Sequence, residues 1–218
     1  MRVVVAGGHG KIALLLERLL AERGDQAVGL IRNPAHVADV QKTGAEAVVC
    51  DLEAASADDV AVLLSGADAV VFAAGAGAGS GAPRKDTVDR AGSVLMADAA
   101  ERTGVRRFVQ VSSMGAGQPP RPGSDEVWAA YITAKTAAEA ALRARDLDWT
   151  IVRPGGLTDA PATGRIRLAP PPVPAGTVPR ADVAAVIAAL LDNPGTRHQT
   201  LELVAGDSPL AEAVHSIS

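Results

Sequence analysis

The stretch Val3-Val4-Val5-Ala6-Gly7-Gly8-His9-Gly10-Lys11-Ile12-Ala13 decides how the chain is read. A β-branched run stops at a cluster of glycines and an amphipathic segment follows at once, which is the sequence form of strand, tight turn and helix. Gly7, Gly10 and Ala13 fall at a G-x-x-G-x-x-A spacing. Small residues there let a backbone approach a pyrophosphate and let the helix pack close to its strand. The helix N-terminus then aims free N–H groups and the positive end of its dipole at the phosphates. Glycine-rich turns also join strands to helices for purely structural reasons, so the rest of the chain has to choose between the two readings.

Working outward, residues 2–6 read as the first strand and 11–23 as a helix, with Ile12, Leu15, Leu16, Leu19 and Leu20 inward and Glu17, Arg18 and Glu22 outside. Further apolar runs follow at 27–31, 47–50, 69–72, 107–111 and 149–152. Helical segments separate them, from Asn33-Pro34 to about Gln41 and at 56–64, 85–103 and 126–145. Short, continuously apolar strands alternating with helices imply a parallel sheet buried on both faces, hence an α/β, doubly wound (Rossmann) fold. From about 155 to 180 the chain is proline-rich and loop-like, with a strand around Ile166 and Leu168. A helix at 181–192, a strand at 199–204 and a short helix near 208–216 complete it. The expectation is one nucleotide-binding domain over 1–218, with 155–218 as a small cap over the carboxyl edge of the sheet. A cap of that size cannot supply a core of its own.

The chain has 218 residues, 48% of them hydrophobic but only 2% aromatic, so its core is built from Ala, Val and Leu. So few aromatics leave no stacking platform for single-stranded nucleic acid, and a net charge of −4 gives no electrostatic footprint for a duplex. Cys50 is the one cysteine, which excludes an intrachain disulfide, and no Cys/His cluster has zinc spacing. The start leads straight into a strand rather than a signal peptide, and no apolar run reaches the ~18 residues of a membrane span. The default is a soluble cytoplasmic protein, monomer or homodimer, acting on a small molecule.

Several residues sit where such a fold binds ligands. Arg32, at the end of the second strand, stands where an acid would hold the ribose 2′-OH of NAD, and Asn33 after it is no acid either. An arginine fork suits a 2′-phosphate, which favours NADP over NAD. Asp51-Leu52 ends the third strand, where Asp51 either accepts from an adenine amine or caps the next helix. Ala73-Ala74-Gly75 opens a low-complexity glycine loop, through Pro83, at the carboxyl end of the fourth strand. Tyr131 is the sole tyrosine and Lys135 follows it by four, on the same helical face. A phenol is a poor acid or base near neutrality, and a neighbouring cation favours its phenolate. Such a pair can trade a proton with a substrate oxygen while a nicotinamide trades hydride. Ser112-Ser113 closes the fifth strand on the same edge and can donate to that oxygen. His9 reads as a loop filler, His36, His198 and His215 as partnerless surface residues, and Trp128 as packing or a wall of the site.

With these pieces together the chain resembles an atypical member of the short-chain dehydrogenase/reductase superfamily, near the NmrA-like proteins and the small NAD-dependent epimerases/dehydratases. The resemblance rests on Gly7 to Ala13, Asp51-Leu52, Ala73-Ala74-Gly75, Val109 to Ser113, Tyr131 with Lys135, and Val152-Arg153-Pro154-Gly155. It implies Tyr131 as general acid/base, Lys135 as the cation that favours the phenolate and holds the nicotinamide ribose, and Ser113, ahead of Ser112, on the substrate oxygen. It implies a cofactor lined by Gly7, Gly8, His9, Gly10, Lys11, Ile12, Arg32, Asn33, Asp51, Leu52, Ala73, Ala74, Gly75, Val111, Ser112 and Lys135, with Pro154, Gly155, Gly156 and Leu157 along the nicotinamide. Two departures stand out. Ala13 replaces the third glycine, and Asp89 stands where a catalytic asparagine is often found, able to accept a hydrogen bond but lacking the amide donor and equally able to pair with Arg90. The function implied is an NADP-dependent oxidoreductase for a small carbonyl or alcohol. The alternatives are a nucleotide-sugar-type epimerase or dehydratase with retained cofactor, and a non-catalytic NADP-sensing regulator.

Overall fold

The computed structural model describes residues 1–77, 79–120 and 123–217; Ala78 of the glycine loop, Arg121 and Pro122 of the 116–124 loop, and Ser218 lie outside the described residues. In chain order the first half comprises β1 (Arg2–Ala6), α1 (Lys11–Glu22), β2 (Gln26–Ile31), a 3-10 turn at Pro34–His36 leading into α2 (Val37–Gln41), β3 (Glu46–Val49), α3 (Ala57–Leu64) and β4 (Ala69–Phe72). A π-helical segment, Lys85–Ala91, then runs into α4 (Gly92–Thr103), followed by β5 (Arg107–Val111), α5 (Glu126–Arg143) and β6 (Asp148–Pro154). The remainder is β7 (Gly156–Thr158), β8 (Arg165–Ala169), β9 (Thr177–Pro179), α6 (Arg180–Leu191), β10 (Gln199–Ala205), β11 (Ser208–Pro209) and α7 (Leu210–His215).

The main sheet has the order β11-β8-β10-β6-β5-β4-β1-β2-β3. Every neighbouring pair from β3 to β10 is parallel, with Val3 opposite Ala27 on one side of β1 and Ala69 on the other. The chain winds outward from β1 to β3, then crosses back and winds the other way from β4 to β6. The reversal lies between β1 and β4, so their carboxyl ends open the crevice in which doubly wound sheets bind ligands. Alternate residues of β1 feed two cores: Val3 and Val5 face α1 and α6, while Val4 and Ala6 face α3, α4 and α5.

Sequence and structure differ beyond β6. The Ile166/Leu168 strand, β8, pairs antiparallel to β10, and it shows the one-sided alternation of an antiparallel edge, with Ile166 and Leu168 buried and Arg165 and Arg167 exposed. β7 and β9 form a separate parallel pair, Leu157 opposite Val178. The helix read at 85–103 is interrupted, because its first seven residues are π-wound. No helix among the described residues is long and apolar enough to cross a membrane.

Candidate active site

The glycine loop is a tightly packed corner. Gly7 has φ +80, and a Cβ on it would lie 2.6 Å from the Cα of Ala74 in the loop after β4. Only glycine relieves both constraints. Gly10 is the N-cap of α1 and supplies no side-chain cap, so the helix presents its first N–H groups at the crevice. Gly8 is buried, donating to Leu30 O at 2.9 Å. Beneath it lies Glu17, expected outside but 0% exposed, on the buried stripe of α1 with Ala13, Leu16 and Leu20. A Cβ on Gly29 would stand 2.5 Å from its Oε1, and one on Gly8 2.9 Å, so the two glycines make room for the carboxyl group. Among the described residues neither oxygen has a hydrogen-bond partner. Burial pushes the Glu17 carboxyl up to about 8, against a smaller opposing pull from the Thr43 hydroxyl, which itself donates to Val40 O.

Two cavities flank this corner and share Ala73, Ala74, Gly75 and Gly77. The first, about 440 Å³, is lined by Gly7, His9, Gly10, Arg32, Asn33, Asp51 and Leu52, all anticipated, and by His36, Glu53 and Arg84, which were not. His36 is not partnerless: its ring stacks on that of His9 at 3.6 Å, and His9 Nε2 lies 3.2 Å from Asp39. His198 likewise packs edge-on against Trp149. Asp51 accepts from Glu53 N at 3.1 Å rather than capping α3, whose cap is Ser56 in a reciprocal arrangement with Asp59. Arg32 pairs with Glu53 at 3.2 Å, as does Arg84 at 2.5 Å.

The second cavity, about 770 Å³, is lined by Ile12, Asp89, Val111, Ser112, Ser113, Tyr131, Lys135 and Pro154 to Leu157, all anticipated, with Met114, Val127, Trp128 and Lys85. Trp128 forms part of its wall, ring to ring with Tyr131 at 5.4 Å. Asp89 does not pair with Arg90, which pairs with Asp86. The π turn instead places Asp89 inside, 3.2 Å from Lys135 Nζ, the two side chains 1% and 5% exposed. Asp89 also accepts from Ala76 N at 3.0 Å, and Lys135 donates to Val111 O at 3.1 Å. The pair thus ties the glycine loop to the end of β5. Lys85, one π turn earlier and also buried, donates to Gly77 O at 2.8 Å, and its Nζ lies 5.7 Å from the Tyr131 ring centroid, the same distance as Lys135. A π turn is a recurring device at functional sites, and here it brings two ionisable side chains into one cavity.

The two serines part company. Ser112 Oγ donates at 2.6 Å to Glu139, a fully buried carboxylate. Glu139 also accepts from Arg153 at 2.6 and 2.8 Å and from Arg143 at 2.8 Å. Burial pushes its carboxyl up, but the bonds from Arg153 and Ser112 outweigh it and hold it below the usual range. Ser113 Oγ donates to Met114 O at 3.2 Å and keeps its place on the cavity wall. Lys11 lines neither cavity. It pairs at 2.6 Å with Asp159, which Arg180 also grips at 2.6 Å, strapping the chain after β7 to the start of α1.

A bare helix N-terminus at a glycine corner, between two cavities joined by one loop, has the shape a dinucleotide requires, and residues 7–194 match the model of a family described as NAD(P)H-binding. The chain belongs to that NAD(P)H-binding family. It is 34% identical, over all of both chains, to YhfK of Bacillus subtilis, an uncharacterized sugar epimerase. Among solved structures, a Bacillus halodurans protein ascribed to the NAD-dependent epimerases/dehydratases superposes with a TM-score of 0.90 at 35% identity, covering 99% of each chain. The oxidoreductase ylbE of Lactococcus lactis does so with a TM-score of 0.87 at 28% identity, covering 100% of this chain and 96% of its own. Family membership supports a nicotinamide cofactor and a place among the NAD(P)-binding oxidoreductases and epimerases/dehydratases.

Proposed function

We propose that the protein is an NADP-dependent oxidoreductase that moves hydride to or from a small carbonyl or alcohol. The reading rests on one observation: Tyr131, Lys135 and Ser113 line a single cavity that shares Ala73, Ala74, Gly75 and Gly77 with the cavity of Arg32. Gly7, Gly10 and the start of α1 would hold the pyrophosphate, and Arg32 with Asn33 the phosphorylated ribose. Pro154 to Leu157 would lie along the nicotinamide. A nicotinamide bound there would supply or accept the hydride. Tyr131 gives or takes the proton at the substrate oxygen, and Ser113 donates a hydrogen bond to the same atom. Ser112 is committed to Glu139, which leaves Ser113 for that role. Lys135, fixed by Val111 O and Asp89, holds the nicotinamide ribose and the charge beside the phenol. Asp89 therefore acts as the partner of Lys135 rather than as a substitute for an asparagine amide. Residues 1–218 work as one binding domain, with 155–218 capping the substrate side.

NADPH oxidation by the purified chain over a panel of carbonyls, quinones and flavins tests the reading. The Tyr131→Phe variant is expected to lose about 10²-fold or more of the rate. An undiminished rate removes Tyr131 from the proton path. The names of YhfK and the Bacillus halodurans relative favour a second reading, an epimerase or dehydratase with retained cofactor. Tightly bound nucleotide carried through purification, with no net NADPH consumed, would select it. Nucleotide binding without any turnover would select a sensor.

A further inference from the structure

At the outer wall of the Arg32 cavity, one carboxylate gathers donors from three parts of the chain. Glu53, in the turn after β3, accepts from Arg84 Nη2 at 2.5 Å and from Arg32 Nη1 at 3.2 Å on the same oxygen, Oε2. Its other oxygen accepts from the Thr87 hydroxyl at 2.6 Å. Arg84 precedes the π turn, Thr87 lies within it, and Arg32 directly follows β2. Two guanidinium groups and a hydroxyl converging on one oxyanion make the arrangement that also recognises a phosphate monoester. The pairs are solvent-accessible, which keeps their net contribution to folding small and makes the carboxylate replaceable. A phosphate monoester brings up to one more negative charge than Glu53 and three acceptor oxygens.

We propose that Arg84 and Thr87, together with Arg32, form the subsite for a phosphate on the adenosine ribose, and that Glu53 is its resident counter-anion, displaced when that phosphate binds. Glu53 holds the donors in place in the free protein and competes with the ligand for them. Selectivity for the phosphorylated dinucleotide is therefore set by the turn after β3 and the π segment as well as by the end of β2. The inference rests on the NADP reading above.

Titration calorimetry of the full chain with NADP⁺, NAD⁺, adenosine 2′,5′-bisphosphate and 5′-AMP tests it without any turnover. Arg84→Met is expected to weaken NADP⁺ and the bisphosphate by about tenfold or more, the loss of one charge-assisted contact, while NAD⁺ and 5′-AMP stay within about twofold. Arg84→Lys keeps the charge without the fork and should fall between. Glu53→Gln should tighten NADP⁺ and the bisphosphate and leave NAD⁺ unchanged. Arg90→Met, which removes the Asp86 pair on the same segment, is the control for a merely structural effect. Equal weakening of all four ligands by Arg84→Met would overturn the proposal. So would Glu53→Gln weakening NAD⁺ with NADP⁺ unaffected, which would make Glu53 the acceptor for a ribose hydroxyl. A wild-type chain that binds no NADP⁺ sinks the parent reading along with this one. A chain that binds NADP⁺ with Arg84 and Glu53 variants indifferent sinks this assignment alone.

Discussion

The two cavities that meet at Ala73 to Gly77 handle charge in opposite ways. Around the Arg32 cavity the ion pairs are open to water, and two cations share one acid: Arg32 and Arg84 on Glu53. Beside the Tyr131 cavity two pairs are sealed in: Lys135 with Asp89, and Arg153 with Glu139. Exposed pairs gain little Coulomb energy and exchange partners easily, whereas a buried charge left without its partner is costly. The first region is therefore built to swap an internal anion for a ligand's. The second is built to keep the ends of β5 and β6 in one place.

The contrast can be broken where it should be largest. Arg153→Met leaves Glu139 buried with a weaker set of donors and should destabilise the protein by about 3–5 kcal/mol in denaturant unfolding. A loss below about 1 kcal/mol would mean the network is no more rigid than the surface pairs. The pH dependence sharpens it further. Glu139 is held below its ordinary value, so its stabilising contribution is present above about 4.5 and disappears as pH falls through its folded value. Glu17 runs the other way: its carboxyl is raised to about 8, the folded state binds the extra proton between the ordinary carboxylate value and there, and stability falls as pH rises across that window. Glu17→Gln, which cannot ionise, should match the wild type near pH 5 and exceed it at pH 9 by up to about 4 kcal/mol. Parallel curves at both pH values would show that Glu17 stays charged or finds a partner. The smallest effect belongs to the surface: Arg32→Ala should change stability by less than about 1 kcal/mol while weakening NADP⁺ binding, and a large loss of stability would refute the division drawn above.

Much of the fold was legible because its signals are local. The run Val3 to Val5, the turn at Gly7 to Gly10 and the apolar strands at 69–72 and 107–111 each announce their own element, and Tyr131 with Lys135 needs only one helical turn. What escaped depends on residues distant in sequence. Glu139 and Arg153 lie on different elements, and Glu53 collects Arg32, Thr87 and Arg84 from up to 34 residues away. Lys85, four residues before Asp89 and on the same face, joins it in one cavity, and no motif marks it. Glu17 could have been found. It completes an i, i+3, i+4, i+7 stripe with Ala13, Leu16 and Leu20, and glycines at 8 and 29 supply the space it needs. A stripe widened to Leu15 and Leu19 hid it.

The scarcity of aromatic residues has an optical consequence. The chain holds two tryptophans, and the fold places them in opposite surroundings: Trp149 is 8% exposed in the core, whereas Trp128 is 49% exposed at the cavity rim, against Tyr131. Their emission should divide accordingly into a blue component that iodide cannot reach and a red component that it quenches. The blue component reports the integrity of the β-sheet. The red one reports whatever enters beside Tyr131, so occupancy of that cavity can be followed in the native chain with no label.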